Sequence, residues 1–260
     1  LVLFCQLDVT GRTESDPAAE RLAANLLAYL DSWRPGPERT AVYAGEPQGK
    51  DHLSAAGFAL DSFAGGKPPA GQVLVAGPAS GEELGKHRAA IAEWLEAGGR
   101  LLAIGLGESE LNGFLPFAVR TRTGEYIATF FEPQDGSSPF AGIGPADLHN
   151  RDPRDLPLLT GGAAVLGNGV LASAAEGSVV FCQLVPWRFS PERQNQKRVY
   201  RRASCGLSRL LANLGVASST PLLGRFRDPP APGGAEKRWL EGFYLEQPEE
   251  WDDPYRFFRW

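Results

Sequence analysis

Arg100-Leu101-Leu102-Ala103-Ile104-Gly105-Leu106-Gly107-Glu108-Ser109 is an apolar run that stops on a Gly-x-Gly turn and continues into polar residues able to open a helix. Residues 101–104 are apolar without alternation, the pattern of a strand covered on both faces. In an open α/β sheet the crevice beyond the strand ends is where ligands bind and nucleophiles sit. This turn therefore decides the fold and also the place to look for chemistry.

Upstream of it, residues 82–97 predict one amphipathic helix, with Leu84, Ile91, Trp94 and Leu95 on a stripe and Gly98 past its end. Residues 72–76 read as a buried strand and residues 40–43 as a shorter one. A short helix over 51–56, closed by Gly57, and a strand over 58–63 lie between these two. Strands separated by helices of this length predict βαβ units and a parallel sheet. The expected class is α/β, flavodoxin-like, with helices on both faces of a mostly parallel sheet.

Downstream the pattern loosens. Residues 118–131 suggest a β-hairpin insertion turning at Thr123-Gly124, and residues 132–162, rich in Gly, Pro and Asp, suggest a long loop. Residues 163–174, broken by Gly167-Asn168-Gly169, predict a second hairpin. A strand over 178–185 follows. Val199, Leu207, Leu210, Leu211 and Leu214 then stripe a long helix ended by Gly215.

One internal repeat is legible. Val2-Leu3-Phe4-Cys5-Gln6-Leu7 is echoed by Val179-Val180-Phe181-Cys182-Gln183-Leu184, and each copy precedes a helix bearing Leu-Leu-Ala, at 26–28 and 210–212. The first of these helices opens at Asp16-Pro17, with Leu22, Leu26, Tyr29 and Leu30 on one face. The expected division is residues 1–33, the last strand and helix of a preceding, repeated α/β domain; residues 39–215, a complete copy; and residues 220–260, a Pro/Gly linker with an aromatic docking tail. The chain begins without Met and with no basic segment before its first apolar run, so it reads as a segment of a longer protein. Localisation stays open between periplasmic, secreted and cytoplasmic.

Composition narrows the function classes. A net charge of −5 leaves no electrostatic footprint for nucleic acid, and no apolar run approaches the roughly 18 residues that span a bilayer. Neither nucleic acid nor membrane is expected as a partner. Cys5, Cys182 and Cys205 form neither a disulfide framework nor a CxxC pair, and each is expected to be buried apolar filler.

The helix ending Trp94-Leu95-Glu96-Ala97-Gly98-Gly99, followed by the strand and Gly105-Leu106-Gly107, resembles the class I glutamine amidotransferase-like fold. In that family the strand ends in Gly-Ile-Cys-x-Gly and the Cys is the nucleophile; the matching residues here are Ala103-Ile104-Gly105-Leu106-Gly107. The family's His-Pro-Glu after a late strand is matched by Val185-Pro186-Trp187. The resemblance thus implies a vestigial site in which Gly105, Val185 and Trp187 stand where nucleophile, base and orienting carboxylate would be. Gly105 offers neither sulfur nor oxygen and Val185 cannot take a proton, so no catalytic residue is expected. Ser109 lacks a Gly-x-Ser-x-Gly setting, and of His52, His87 and His149 only one falls in a plausible loop.

Degenerate domains of this type are similar to the trimerisation domain of family-42 β-galactosidases. They also resemble C-terminal accessory domains of large bacterial glycoside hydrolases. The second likeness is carried by the repeated Phe-Cys-Gln-Leu, by Asp8-Val9-Thr10-Gly11-Arg12 and by residues 144–151. It implies a parent acting on glycans, with upstream domains of the same polypeptide as partners, or a homo-oligomer.

Several other readings compete. Asp147, His149 and Asp152 could ligate a metal, but loop capping by Asp and Asn explains the same cluster, and no metal is expected. Gly105-Leu106-Gly107 is half of a dinucleotide fingerprint, yet Glu110 stands where the third Gly is wanted, and no cofactor is expected. Glu108 and Glu110 flank the turn, where solvated surface carboxylates are the default. Trp187 and Arg188, beyond a strand end, could stack on and hydrogen-bond a sugar, or Trp187 could plug a vacated site. The oligosaccharide-binding alternative uses Gly105, Glu108, Asp147, His149, Trp187 and Arg188. The leading expectation is a non-catalytic domain of interdomain or subunit contact.

Overall fold

A computed structural model of the chain describes residues 11, 13–32 and 38–218. The strand expected over residues 1–7, Cys5, and the tail expected over 220–260 lie outside the described residues. The chain divides into two compact units, Leu1–Pro37 and Glu38–Trp260.

The first unit contributes one helix, α1 (Pro17–Ser32). Asp16 caps it as the Asp-Pro pair predicts, its Oδ1 accepting from the N–H groups of Ala18 at 2.9 Å and Ala19 at 3.4 Å.

The second unit opens with β1 (Thr40–Ala44), α2 (Pro47–Ala55), β2 (Leu60–Ser62) and β3 (Gln72–Ala76). It continues with α3 (Gly81–Gly85), α4 (Arg88–Glu96), β4 (Arg100–Ile104) and α5 (Glu108–Phe114). Next come β5 (Arg120–Tyr126), β6 (Arg154–Gly161), β7 (Ala164–Leu166) and β8 (Leu171–Ala174). β9 (Val179–Cys182) and α6 (Gln194–Asn213) complete it. The main sheet runs β2-β1-β3-β4-β9-β8-β7, parallel through β9, with the β7–β8 hairpin added antiparallel at one edge. Its parallel part has the flavodoxin-like order 2-1-3-4-5.

Alternate residues of each strand face opposite layers. Tyr43, Val75, Leu102 and Val180 meet Leu53 of α2 and Val199, Leu207 and Leu211 of α6. Val42, Leu74, Leu101 and Phe181 meet Leu84, Ile91 and Trp94 of α3–α4 and Leu111 and Phe114 of α5. Leu101, Leu102 and Ile104 are fully buried, which explains why β4 reads as an unbroken apolar run. Each such side chain contributes about 1.5–3 kcal/mol by leaving water.

Four expectations need correction. The helix expected over 82–97 is two helices: the chain turns at His87 (φ −116°, ψ 17°). α3 is drawn against α5, where a Cβ on Gly81 would sit 2.8 Å from Glu110 Cβ, while α4 buries Ile91 and Trp94 under the sheet. Tertiary packing overrides the helical period there. The hairpin expected at Thr123-Gly124 does not form. β5 runs straight through and pairs antiparallel with β6, Gly124 opposite Leu156, so the span read as one loop over 132–162 contains a strand. Pro157 lacks the N–H that a central strand needs, but β6 belongs to a two-stranded sheet, all of it edge, where a missing N–H is tolerated. Cys205 is exposed, on the side of α6 away from its buried stripe, whereas Cys182 is buried as expected. Finally, the helix expected over 51–56 starts earlier, at Pro47.

Candidate functional site

Parallel strands end on a common edge, so the loops after β1, β3, β4 and β9 converge. The strand order reverses between β1 and β3, the place where a flavodoxin-like sheet ordinarily opens a crevice. Here it is closed. The Glu46 N–H donates to Pro78 O at 2.8 Å, and Gly45 (φ +137°) lies so close that a Cβ would be 2.9 Å from Gly77 and Pro78 carbonyl atoms. The Tyr43 hydroxyl occupies the space that side chains on Gly49 and Gly77 would need, and it donates to Glu46 O at 3.0 Å. Burial, and secondarily the Glu46 charge, raise the Tyr43 pKa well above its ordinary value, so the phenol stays a neutral donor.

Gly105 lies at the next junction, between β4 and β9. Its φ of +64° is left-handed, and its N–H donates to Cys182 O at 2.9 Å. The direction in which a side chain would project is filled by Val185 Cγ2, with Pro78 Cγ 3.6 Å away. Val185 is itself buried. Gly105 and Val185, paired in the sequence reading only through a resemblance, are brought into direct apposition.

Trp187, in the 3-10 turn Pro186–Arg188, is half-buried over α2. Its Nε1 donates to Glu46 Oε1 at 2.5 Å, a charge-assisted hydrogen bond. A Cβ on Gly49 would lie 2.8 Å from the indole, so glycine there seats the ring. The His52 ring is 5.6 Å from Trp187 and 5.4 Å, edge-on, from Tyr200, and burial lowers its pKa. Glu46, Tyr43 and Tyr200 were not singled out in the sequence, and His52 was named there only among the histidines that suggest no base. The available signal was Tyr43-Ala44-Gly45-Glu46-Pro47, a strand end of the same type as Ile104-Gly105.

The remaining candidates are not brought to this edge as a set. Glu108 Oε2 accepts from the Thr121 N–H at 2.9 Å, and Glu110 Oε2 accepts from the Gly107 N–H at 3.2 Å, so both carboxylates serve backbone around α5. Asp147 Oδ2 accepts from the Gly144 N–H at 2.9 Å, capping the turn Pro145–Leu148 that His149 follows. Asp152 accepts from Arg154 Nη2 at 2.7 Å and Gln196 Nε2 at 2.9 Å. Among the described residues no three His, Cys, Asp or Glu side chains converge as a metal would require. Arg188 is exposed, and its contribution here is a carbonyl, which accepts from Arg154 Nη1 at 2.7 Å. The open groove lined by Pro139, Gly162 and Ser173–Gly177 lies at the opposite, N-terminal edge of β9.

No protein-family model matches the chain, and no curated protein matches it. Among solved structures, a chain described as "Structure of PurLQS from Thermotoga maritima" aligns with 14% identity over 66% of this chain and 100% of its own, with a TM-score of 0.38. At that score the likeness carries no argument, and the fold assignment stands on the strand order.

Proposed function

We propose that residues 39–215 form a degenerate amidotransferase-like domain whose role is interdomain or subunit contact, without catalysis, in a multidomain glycoside hydrolase. The observation that carries the proposal is the apposition of Gly105 and Val185. The strand-end turn keeps the left-handed geometry that would display a nucleophile, while a valine methyl occupies the space of its side chain. Neither Gly105 nor Val185 carries a thiol, hydroxyl or base, and the nearby Cys182 thiol is buried with its Sγ donating to Leu184 O; covalent catalysis needs both a nucleophile and a base. The glycoside-hydrolase setting rests on the segment resemblances at 8–12, 144–151 and 179–184. Its partners would be other domains of the same polypeptide, or further copies of the chain.

The competing reading is a carbohydrate-binding module. Its support is Trp187, half-exposed beside the strand ends. Against it, the indole N–H is already taken by Glu46 and the crevice under it is closed by Tyr43, Gly45 and Val185.

Two measurements on the purified chain separate these readings. Glutamine hydrolysis should not exceed the buffer blank, and a turnover lost in a Ser109→Ala variant would overturn the proposal. Titration calorimetry against a panel of oligosaccharides should give no saturable heat. Saturable binding abolished by Trp187→Ala would establish the carbohydrate-binding reading in its place.

A further inference from the structure

The charge on α6 is one-sided and opposes the helix that carries it. Of its 20 residues, Lys197, Arg198, Arg201, Arg202 and Arg209 are basic and none is acidic. Lys197, Arg198 and Arg201 lie on the side away from the buried stripe of Val199, Ala203, Leu207 and Leu210, with Arg202 beside them. Four of the five fall in the N-terminal half and Arg193 stands at the N-cap, while the last turn has no basic residue. The helix dipole favours the reverse, anions at the N-terminus and cations at the C-terminus. Lys197 with Arg201, and Arg198 with Arg202, are also like-charge pairs at i, i+4, which oppose the helix further. Helix stability therefore does not account for the pattern. Asp147 and Asp152 approach α6 at Gly206 and Gln196, on its buried side, and so do not face the basic stripe.

The most acidic stretch of the chain is of matching size. Residues 239–253 hold Glu241, Glu246, Glu249, Glu250, Asp252 and Asp253 and no Lys or Arg, a charge of −6 against +5 on α6. They lie outside the described residues. Residues 219–240 join them to the described chain just past the end of α6. That connection spans at most roughly 70 Å, and α6 is about 30 Å long, so the acidic stretch can reach the whole helix. Tethering on one polypeptide also gives it an effective concentration that a separate partner has to exceed.

We propose that residues 241–253 bind the outer face of α6 in the same molecule, an acidic peptide on a basic helix, with Lys197, Arg198, Arg201 and Arg202 as the receptor. The aromatic residues of the tail predict docking, and the charges name the place. A glycan-active parent is not required for it.

Carbodiimide coupling of the full chain reads the contact directly, because it joins an ammonium to a carboxylate only where the two touch. Peptide mass spectrometry of the monomer fraction should find Lys197 linked to Glu246, Glu249, Glu250, Asp252 or Asp253. Lys50, Lys67 and Lys86 should give no link to these residues. In 1 M salt, where the Debye length is about 3 Å, the Lys197 yield should fall roughly fivefold or more. Arg198→Glu/Arg201→Glu should abolish the link and leave the circular dichroism spectrum unchanged, and adding Glu249→Arg/Glu250→Arg should restore it. Links spread evenly over the four lysines would overturn the proposal. So would the absence of a Lys197 link in the parent chain, or a link that survives the charge reversal. A link confined to covalent dimers would put the acidic stretch of one copy on the helix of another, which overturns the assignment to a single molecule.

Discussion

A glycine at φ +64° under a valine methyl has two separate reasons to remain glycine. A Cβ pays for the left-handed conformation, about 1 kcal/mol or more, and it must also displace Val185, at about 1–3 kcal/mol of overpacking. Gly105→Ala should therefore destabilise the chain by about 3 kcal/mol in urea unfolding. The overpacking part vanishes if Val185 is shortened, so Gly105→Ala/Val185→Ala should be more stable than the two single losses added together, by roughly 1 kcal/mol. Strict additivity would show that the methyl is not the obstacle. His52 gives a residue-scale prediction of another kind. Burial holds its folded pKa below the ordinary 6.5, so below that pH the unfolded chain takes up the proton more readily than the folded one. The stability that neutral His52 leaves intact above pH 6.5 should drain away as pH falls from 6.5 towards the folded value. In His52→Gln the fall in stability between pH 7 and pH 5 should be shallower, and an identical slope would remove His52 as its source.

At the scale of elements, the turn that carries Val185 and Trp187 is tied down by one side chain from β6. Arg154 donates from Nε and Nη2 to Asp152, from Nη1 to Arg188 O, and lies over the Phe189 ring at 4.3 Å. Gln196 links the same Asp152 to Ser190 N, joining α6 to the segment. Removing one partner of a partly buried, hydrogen-bonded ion pair strands the other. Arg154→Met should cost about 2–3 kcal/mol and open residues 186–190 to limited proteolysis; cleavage at the parent's rate would show that the knot is dispensable. None of this was legible in the sequence, because Arg154 sits in a span whose Pro and Asp content reads as loop. The elements that were legible are those whose own residues define them: residues 72–76 and 101–104 as unbroken apolar strands, the stripe of α6, the hairpin around Gly167-Asn168-Gly169. What escaped depends on a distant partner. β5 needs β6 to be a strand, α3 leaves α4 because α5 draws it away, and Tyr43 and Glu46 matter only once β3 lies beside β1. Gly105 and Val185 were each named only through a family resemblance, and their contact was not legible because 80 residues of chain separate them.

At the scale of the whole molecule, the distribution of burial sets where the chain should open first. The central strands β3 and β4 have both neighbours and both faces covered, and their amides should exchange with solvent only on global unfolding. α1 is the opposite case. It has good intrinsic helix formers and the Asp16 cap, yet an isolated helix of about 15 residues is marginal in water, and this one buries little more than Ala19. Its amides should exchange with an opening free energy of about 0–2 kcal/mol, against several kcal/mol for β3 and β4. Hydrogen exchange followed by mass spectrometry on peptides covering residues 17–32, 72–76 and 100–104 measures the gap directly. Equal protection of α1 and the central strands would mean that its leucine stripe is covered in the isolated chain. A wide gap is the expectation for a helix in which Ala19 alone is fully buried.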